Sequence, residues 1–283
     1  LSSFSVENGT YTARGDLTYT DIAKSSLTDG TLISEEGKAK ITAHGVLQIK
    51  KLSAKDSATV EADHDVTLSE AEAGTLAVSS GGSVNAGTLT ATTGDAKVKA
   101  KTNVTIGTLT AETGGATIEA TDAALDVTTL NAKSLTAKAG TTLSAKTLDV
   151  KEHAKLSSGG DMVLTEAHAN TLTANAGGKL TATTLGVTGA AGMTSGGAME
   201  VTEATVGSVA AKAGTTLHVK KLTSTGEATL TSKDEAKLDD VTAGTLAAES
   251  TAGSVKAGTL TATTGDAKVT AKKDVTIGTL KAE

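Results

Sequence analysis

Residues 86–112 read AGTLTATTGDAKVKAKTNVTIGTLTAE, and residues 257–283 read AGTLTATTGDAKVTAKKDVTIGTLKAE. The two stretches differ at four of twenty-seven positions and lie 171 residues apart, which is nine times nineteen. A chain that returns to itself after about nine units of about nineteen residues is built from stacked coils, each covering its neighbours. The likeness extends upstream. Gly74-Thr75-Leu76-Ala77 leads into Gly82-Ser83-Val84, and Gly244-Thr245-Leu246-Ala247 leads into Gly253-Ser254-Val255, with one extra residue in the second version. A single insertion of that kind belongs at a turn. A second echo sets Ala137–Leu143 against Ala211–Leu217, 74 residues on, close to four coils.

Within a unit the local period is two. Lys97-Val98-Lys99-Ala100 and Val104-Thr105-Ile106 alternate apolar with polar, the mark of a strand with one buried face. From Leu89, inward candidates follow at Val98, Val104, Ile106 and Leu109, then at Ile118, Leu125, Val127 and Leu130. Later anchors are Leu148, Leu156, Leu164, Leu172, Leu180, Leu185, Met193, Leu222, Leu230 and Leu238. Helical spacing is not sustained, and β-branched Thr and Val disfavour helix interiors.

Turn signals interrupt the alternation at Thr93-Gly94-Asp95, Gly114-Gly115, Gly159-Gly160-Asp161, Gly177-Gly178, Gly196-Gly197 and Gly265-Asp266. Gly is expected to supply positive φ there, and Asp to bond back to nearby amides. Three short strands and their turns describe one rung of a parallel β-helix, about 15 rungs in all. The expected fold is therefore all-β, a parallel β-helix (β-solenoid) of about 19-residue coils. It is expected to run as one repeat segment over residues 1–283, with a less regular start over 1–30 and near-duplicate coils at 74–112 and 244–283.

Composition agrees. Pro, Cys and Trp are absent, and Phe4, Tyr11 and Tyr19 are the only aromatics. A large globular core uses aromatics to fill volume, so this core must be thin and aliphatic. With 38% apolar residues and a net charge of −6, the chain lacks the charge excess of disordered sequences. No signal peptide is visible, no apolar run approaches the roughly 20 residues that span a bilayer, and the chain reads as a fragment of something longer.

The repeats at Gly87-Thr88-Leu89-Thr90-Ala91, Gly94-Asp95-Ala96-Lys97-Val98, Asn103-Val104-Thr105-Ile106 and Gly140-Thr141-Thr142-Leu143 resemble the filamentous haemagglutinin family of exoproteins. Gly178-Lys179-Leu180-Thr181-Ala182 and Gly265-Asp266-Ala267-Lys268-Val269 carry the same pattern. The resemblance covers most of residues 30–283. It implies a right-handed β-helical shaft of a large Gram-negative adhesin, exported by two-partner secretion. Secreted or cell-surface location, an outer-membrane secretion partner, and roles in host-cell attachment and virulence come with it. The family's N-terminal secretion signature is not seen, so the segment looks like shaft.

Arg14-Gly15-Asp16 is the sharpest motif, matching the tripeptide by which some extracellular proteins engage integrins. Its competitor is a coil turn, because Gly-Asp recurs at 94–95, 160–161 and 265–266. Only Arg14 then needs chance, and it is the one arginine in the chain.

Other candidates are weaker. His64 lies between Asp63 and Asp65, but the remaining histidines, 44, 153, 168 and 218, are not at ligand spacing, and zinc needs three or four converging ligands. Asp95, Glu112, Asp122 and Asp126 could align as in polysaccharide-processing β-helices. Gly159-Gly160-Asp161 lacks the array a calcium nonapeptide needs. Thr-Ala-Thr at 90–92, 181–183 and 261–263 is too widely spaced for an ice-binding ladder. Lysines are interleaved with acids, which excludes nucleic acid as a partner, though a row such as Lys97, Lys99 and Lys101 could meet an acidic glycan.

The expectation is an adhesive or presenting shaft segment with no enzyme activity, cofactor or metal, a host receptor or glycan as partner, and no membrane span. A direct integrin- or glycan-binding segment and a polysaccharide-processing β-helix are the alternatives.

Overall fold

The computed structural model describes residues 9–20 and 27–283. Phe4 and much of the less regular start, residues 1–8 and 21–26, lie outside the described residues. The chain is a parallel β-solenoid of about 14 turns with coils about 19 residues apart, and no helix occurs among the described residues. It forms two compact units, Leu1–Thr141 and Thr142–Glu283, each built on the same coil.

One coil of the first unit shows how the sequence makes the fold. Over Leu47–Ala62, buried side chains alternate with outward ones, but the alternation slips twice. Leu47 and Ile49 face inward, then two outward residues intervene. Leu52 and Ala54 follow, then three outward residues, then Ala58, Val60 and Ala62. Because side chains of a strand alternate strictly, each slip is a corner that turns the next inward pair toward the same interior. Bends at Asp63 and His64 make the third corner. The next coil, Val66–Ser80, then pairs in parallel register: Leu47 opposite Val66, Leu52 opposite Ala71, Val60 opposite Val78.

Coil starts follow the same rule. In the first unit they fall at Leu47, Val66, Val84, Val104 and Leu125. In the second, Leu143, Met162, Leu180, Met199 and Leu217 occupy the same place.

The three expected strands per coil are three inward runs, but the corners do not all break the ladder. Val104–Ala120 is one strand of 17 residues. Gly114-Gly115, expected as a turn, lies inside it. The corner there is a register shift against Ala132 and Ser134, not a chain reversal, so hydrogen bonding continues through it.

The glycines also act differently from expectation. Gly94, Gly114, Gly115, Gly177, Gly178, Gly196, Gly197 and Gly265 do not adopt a left-handed φ. They are required because the coil below approaches too closely for a side chain. A Cβ on Gly177 would lie 2.1 Å from the Gly159 carbonyl oxygen, and one on Gly196 would lie 2.1 Å from that of Gly177.

Every anchor from Leu89 to Leu238 named above is buried, none more than 3% exposed. Alanine and corner serine fill much of the interior between such aliphatics, including Ala96, Ala116, Ala167, Ala191 and Ser195. In some columns of the second unit large and small residues alternate from coil to coil. Leu148, Ala167, Leu185, Ala204 and Leu222 stack in register. So do Ala154, Leu172, Ala191, Val209 and Ala228, in the opposite phase. A leucine is thus flanked above and below by alanines, and a coil that is wide in one column is narrow in the other. From Leu148 to Leu222 the repeat of these columns is a pair of coils: Leu148, Leu185 and Leu222 are 37 residues apart, and the 74-residue echo is two such pairs.

Candidate functional site

Arg14-Gly15-Asp16 occupies a bend between the strands Thr10–Ala13 and Leu17–Thr20. All three residues are exposed, and the Arg14 side chain is 85% accessible. The following coil supports the bend. Glu36 N–H donates to the Arg14 carbonyl, and the buried Ser34 hydroxyl donates to the Gly15 carbonyl at 2.7 Å. Lys38 N–H donates to Asp16 Oδ1 at 2.8 Å, while Leu17 N–H donates to the Lys38 carbonyl. Arg14 Nε lies 3.5 Å from Glu36 Oε2.

Asp16 shares this role with other residues. Asp65 Oδ1 accepts from Ser83 N–H, Asp95 Oδ1 from Gly115 N–H, Asp161 Oδ1 from Lys179 N–H and Asn103 Oδ1 from Ala124 N–H, at 2.7–3.2 Å. In each case the side chain before a strand caps the matching amide one coil later, satisfying a donor the corner removes from the ladder. Asp16 therefore has a scaffold task. Its Oδ2 has no partner among the described residues. Gly15 stands apart from the other turn glycines, since a Cβ there would meet nothing within 4 Å.

The remaining candidates disperse. Asp63 pairs with His44 at 2.8 Å and Asp65 caps Ser83, so the residues flanking His64 serve different neighbours. Asp161 is a turn cap, and Asp95 caps Gly115. No group of three or more His, Cys, Asp or Glu side chains converges among the described residues. Thr92 and Thr263 donate to the carbonyls of Ala73 and Ala243, and Thr181 lies between Val163 and Glu200, so no threonine ladder forms there. Lys97 stands between Ala77 and Thr117, and Lys99 between Ser79 and Glu119, so neither of these stacks on a lysine, although Lys237 does stand opposite Lys256. Among the described residues no helix is long and apolar enough to cross a membrane.

Charges instead alternate between coils. Glu200 is gripped from both sides, by Lys179 at 3.2 Å and Lys220 at 3.3 Å. Those hydrogen bonds, Lys179 first, hold its carboxyl below the usual glutamate range. Asp239 is held low chiefly by the His218 hydrogen bond at 3.0 Å. Lys221 is raised by its hydrogen bond to Glu203 at 2.8 Å. Each pair is half-buried or exposed and individually weak.

One surface escaped the sequence. A groove of about 530 Å³ lies along the second corner of the second unit, lined among others by Asp149, His168, Asn170, Gly186 and Thr205. Its signal is a register coincidence: Asp149, His168, Gly186 and Thr205 fall in one column, which only the pairing reveals.

No family model, no curated protein and no solved structure matches this chain.

Proposed function

We propose that this chain is a segment of the shaft of a secreted or surface-bound bacterial adhesin of the filamentous haemagglutinin type. It holds recognition elements away from a cell and acts through its surface, not through catalysis. The observation that carries the reading is the division of labour within the coil: inward positions are confined to aliphatic residues and corner serines, while the outward positions vary freely. A solenoid of this kind extends without changing its core and presents a long, changeable face. The repeat resemblance supplies the Gram-negative origin, the two-partner export and the outer-membrane secretion partner.

The Arg14-Gly15-Asp16 corner is the element this reading would present to a host integrin. Its exposure favours recognition, and its scaffold bonds fix its shape. The test is attachment of integrin-bearing cells to surfaces coated with the chain. Gly15→Ala adds a methyl group into open space, so it leaves the coil intact while altering the tripeptide. Asp16→Glu lengthens the acid. Attachment lost with both variants supports the tripeptide, whereas attachment unchanged by both removes it. A chain that attaches to no host cell removes the adhesive reading altogether.

A further inference from the structure

Where the second unit turns its second corner, the outward column Asp149, His168, Gly186, Thr205 crosses four coils in register. Gly186 leaves a gap in it. The imidazole of His168 lies against that gap, since a Cβ on Gly186 would be 2.4 Å from His168 Nδ1. The other ring nitrogen, Nε2, is held by Glu166 Oε1 at 3.1 Å. On the far side of the groove, Asn170 Oδ1 and Thr188 Oγ1 meet at 3.0 Å. The Asn170 amide N–H groups then have no partner among the described residues. Gly207 also lines the groove, on the neighbouring coil, where the Thr188 carbonyl oxygen leaves no room for a Cβ.

The lining selects among ligands. A peptide strand needs a free sheet edge, and the coils that carry His168, Gly186 and Thr205 are each paired on both sides. A docked helix needs deep apolar sockets, and the floor is Val, Ala and Gly. A polyanion needs several cations, but the groove sets one lysine, Lys151, against one acid, Asp149. What remains is a row of uncharged or balanced hydrogen-bonding groups repeating every ~4.8 Å from coil to coil. We propose that this groove binds a linear, uncharged glycan lying along the stack. Its hydroxyls pair with Asp149, His168, Asn170 and Thr205, and its C–H faces cross Gly186 and Gly207. The proposal rests on the adhesive reading and names one of its recognition surfaces.

Calorimetry of the full chain with cellohexaose tests it. Gly186→Thr fills the gap and displaces the exposed imidazole, and threonine already stands at this column position in Thr205. Asn170→Ala removes the amide from an exposed position. Losing one neutral hydrogen bond weakens binding about three- to tenfold, and filling the groove abolishes it. The expected result is binding by the wild type, weaker binding by Asn170→Ala, none by Gly186→Thr, and an unchanged melting profile for all three. No heat with millimolar cellohexaose, equal binding by Gly186→Thr, or tighter binding of a heparin hexasaccharide overturns the proposal. Cell attachment measured on the same variants separates the two readings. Attachment that persists without glycan binding sinks the groove and leaves the adhesive function standing.

Discussion

Ser232 should be more stable as alanine. Its side chain is fully buried, at 0% exposure, and its Oγ has no hydrogen-bond partner among the described residues. It belongs to the column Ser158, Ala176, Ser195, Ala213, Ser232, Ser250 at the end of each coil's third inward run. Ser158 and Ser195 donate to the carbonyl two residues on, at Gly160 and Gly197, each at 3.0 Å. For Ser232 that carbonyl would be Asp234, which instead accepts from Ser250 of the next coil. A buried hydroxyl without a partner costs about 1–3 kcal/mol, and the cavity left by one oxygen offsets part of the gain. Ser232→Ala should therefore stabilise its coil by about 1 kcal/mol, while Ser195→Ala should destabilise by a similar amount. Solenoids seldom unfold in one step, so amide hydrogen exchange around residues 213–234 is the assay, backed by denaturant melts. The mechanism makes a second demand. Ser250→Ala releases the Asp234 carbonyl, so in that background Ser232 regains a partner and Ser232→Ala loses its benefit. Faster exchange in Ser232→Ala, or equal benefit in both backgrounds, refutes the reasoning.

Gly196→Ala places a Cβ 2.1 Å from the Gly177 carbonyl oxygen. It should cost about 2–3 kcal/mol, seen as loss of exchange protection at Gly178 and Gly197, while Gly15→Ala should stay within about 0.5 kcal/mol of wild type. Leu185→Ala should cost about 2–5 kcal/mol and Ala167→Leu about 1–3 kcal/mol. Because these two residues are register partners, the double exchange should be less damaging than the sum, and simple additivity in a double-mutant cycle would contradict the complementary packing. Glu200 and Asp239 have lowered folded values, so their contribution is present above the ordinary carboxylate range and is lost as pH falls through the folded values. Lys221, raised, contributes below the ordinary lysine value and ceases to as pH rises through its folded one. Carboxyl-carbon NMR should place the Glu200 midpoint below 4.5 and move it upward in Lys179→Met/Lys220→Met. A wild-type midpoint at 4.5 or above would contradict the double grip.

The coil was legible because large aliphatics mark it at intervals no helix or globular strand pattern shares. Leu89, Val98, Val104, Ile106 and Leu109 point to the same interior the structure gives them. The alanines were harder to read, because alanine outside and alanine inside look alike until a neighbour's leucine requires one. Ala167 is inside because Leu148 and Leu185 lie on either side. Gly114-Gly115 was misleading for a related reason: two glycines permit a turn, but here they permit the Gly94 carbonyl to come within 2.2 Å of where a Cβ would stand. The Arg14-Gly15-Asp16 corner was legible both as motif and as turn, and the structure gives physical content to the turn through Lys38 N–H. The groove was not legible, because His168 and Gly186 are neighbours only through strand pairing.

The near-identical stretches at 86–112 and 257–283 follow from the same constraint. Residues such as Ala86, Leu89, Ala96, Val98, Val104, Ile106 and Leu109 are buried in the first copy and recur unchanged in the second. The four differences, Lys99/Thr270, Thr102/Lys273, Asn103/Asp274 and Thr110/Lys281, all fall on outward positions. Three of them have visible work: Thr102 Oγ1 and Ser83 Oγ share a hydrogen bond at 2.7 Å, and lysine replaces that threonine in the second copy. Lys99 pairs with Glu119 at 3.3 Å, and threonine replaces it in the second copy. Asn103 caps Ala124 N–H, and aspartate, used for the same purpose at Asp65 and Asp161, replaces it. A copy displaced by a fraction of a coil would turn its aliphatics outward, because the side-chain period is two and each corner adds a slip. Only a whole number of coils is admissible. In a coil whose interior cannot change, ion pairs can be gained or lost singly at little cost, so divergence collects on the one face a partner could touch.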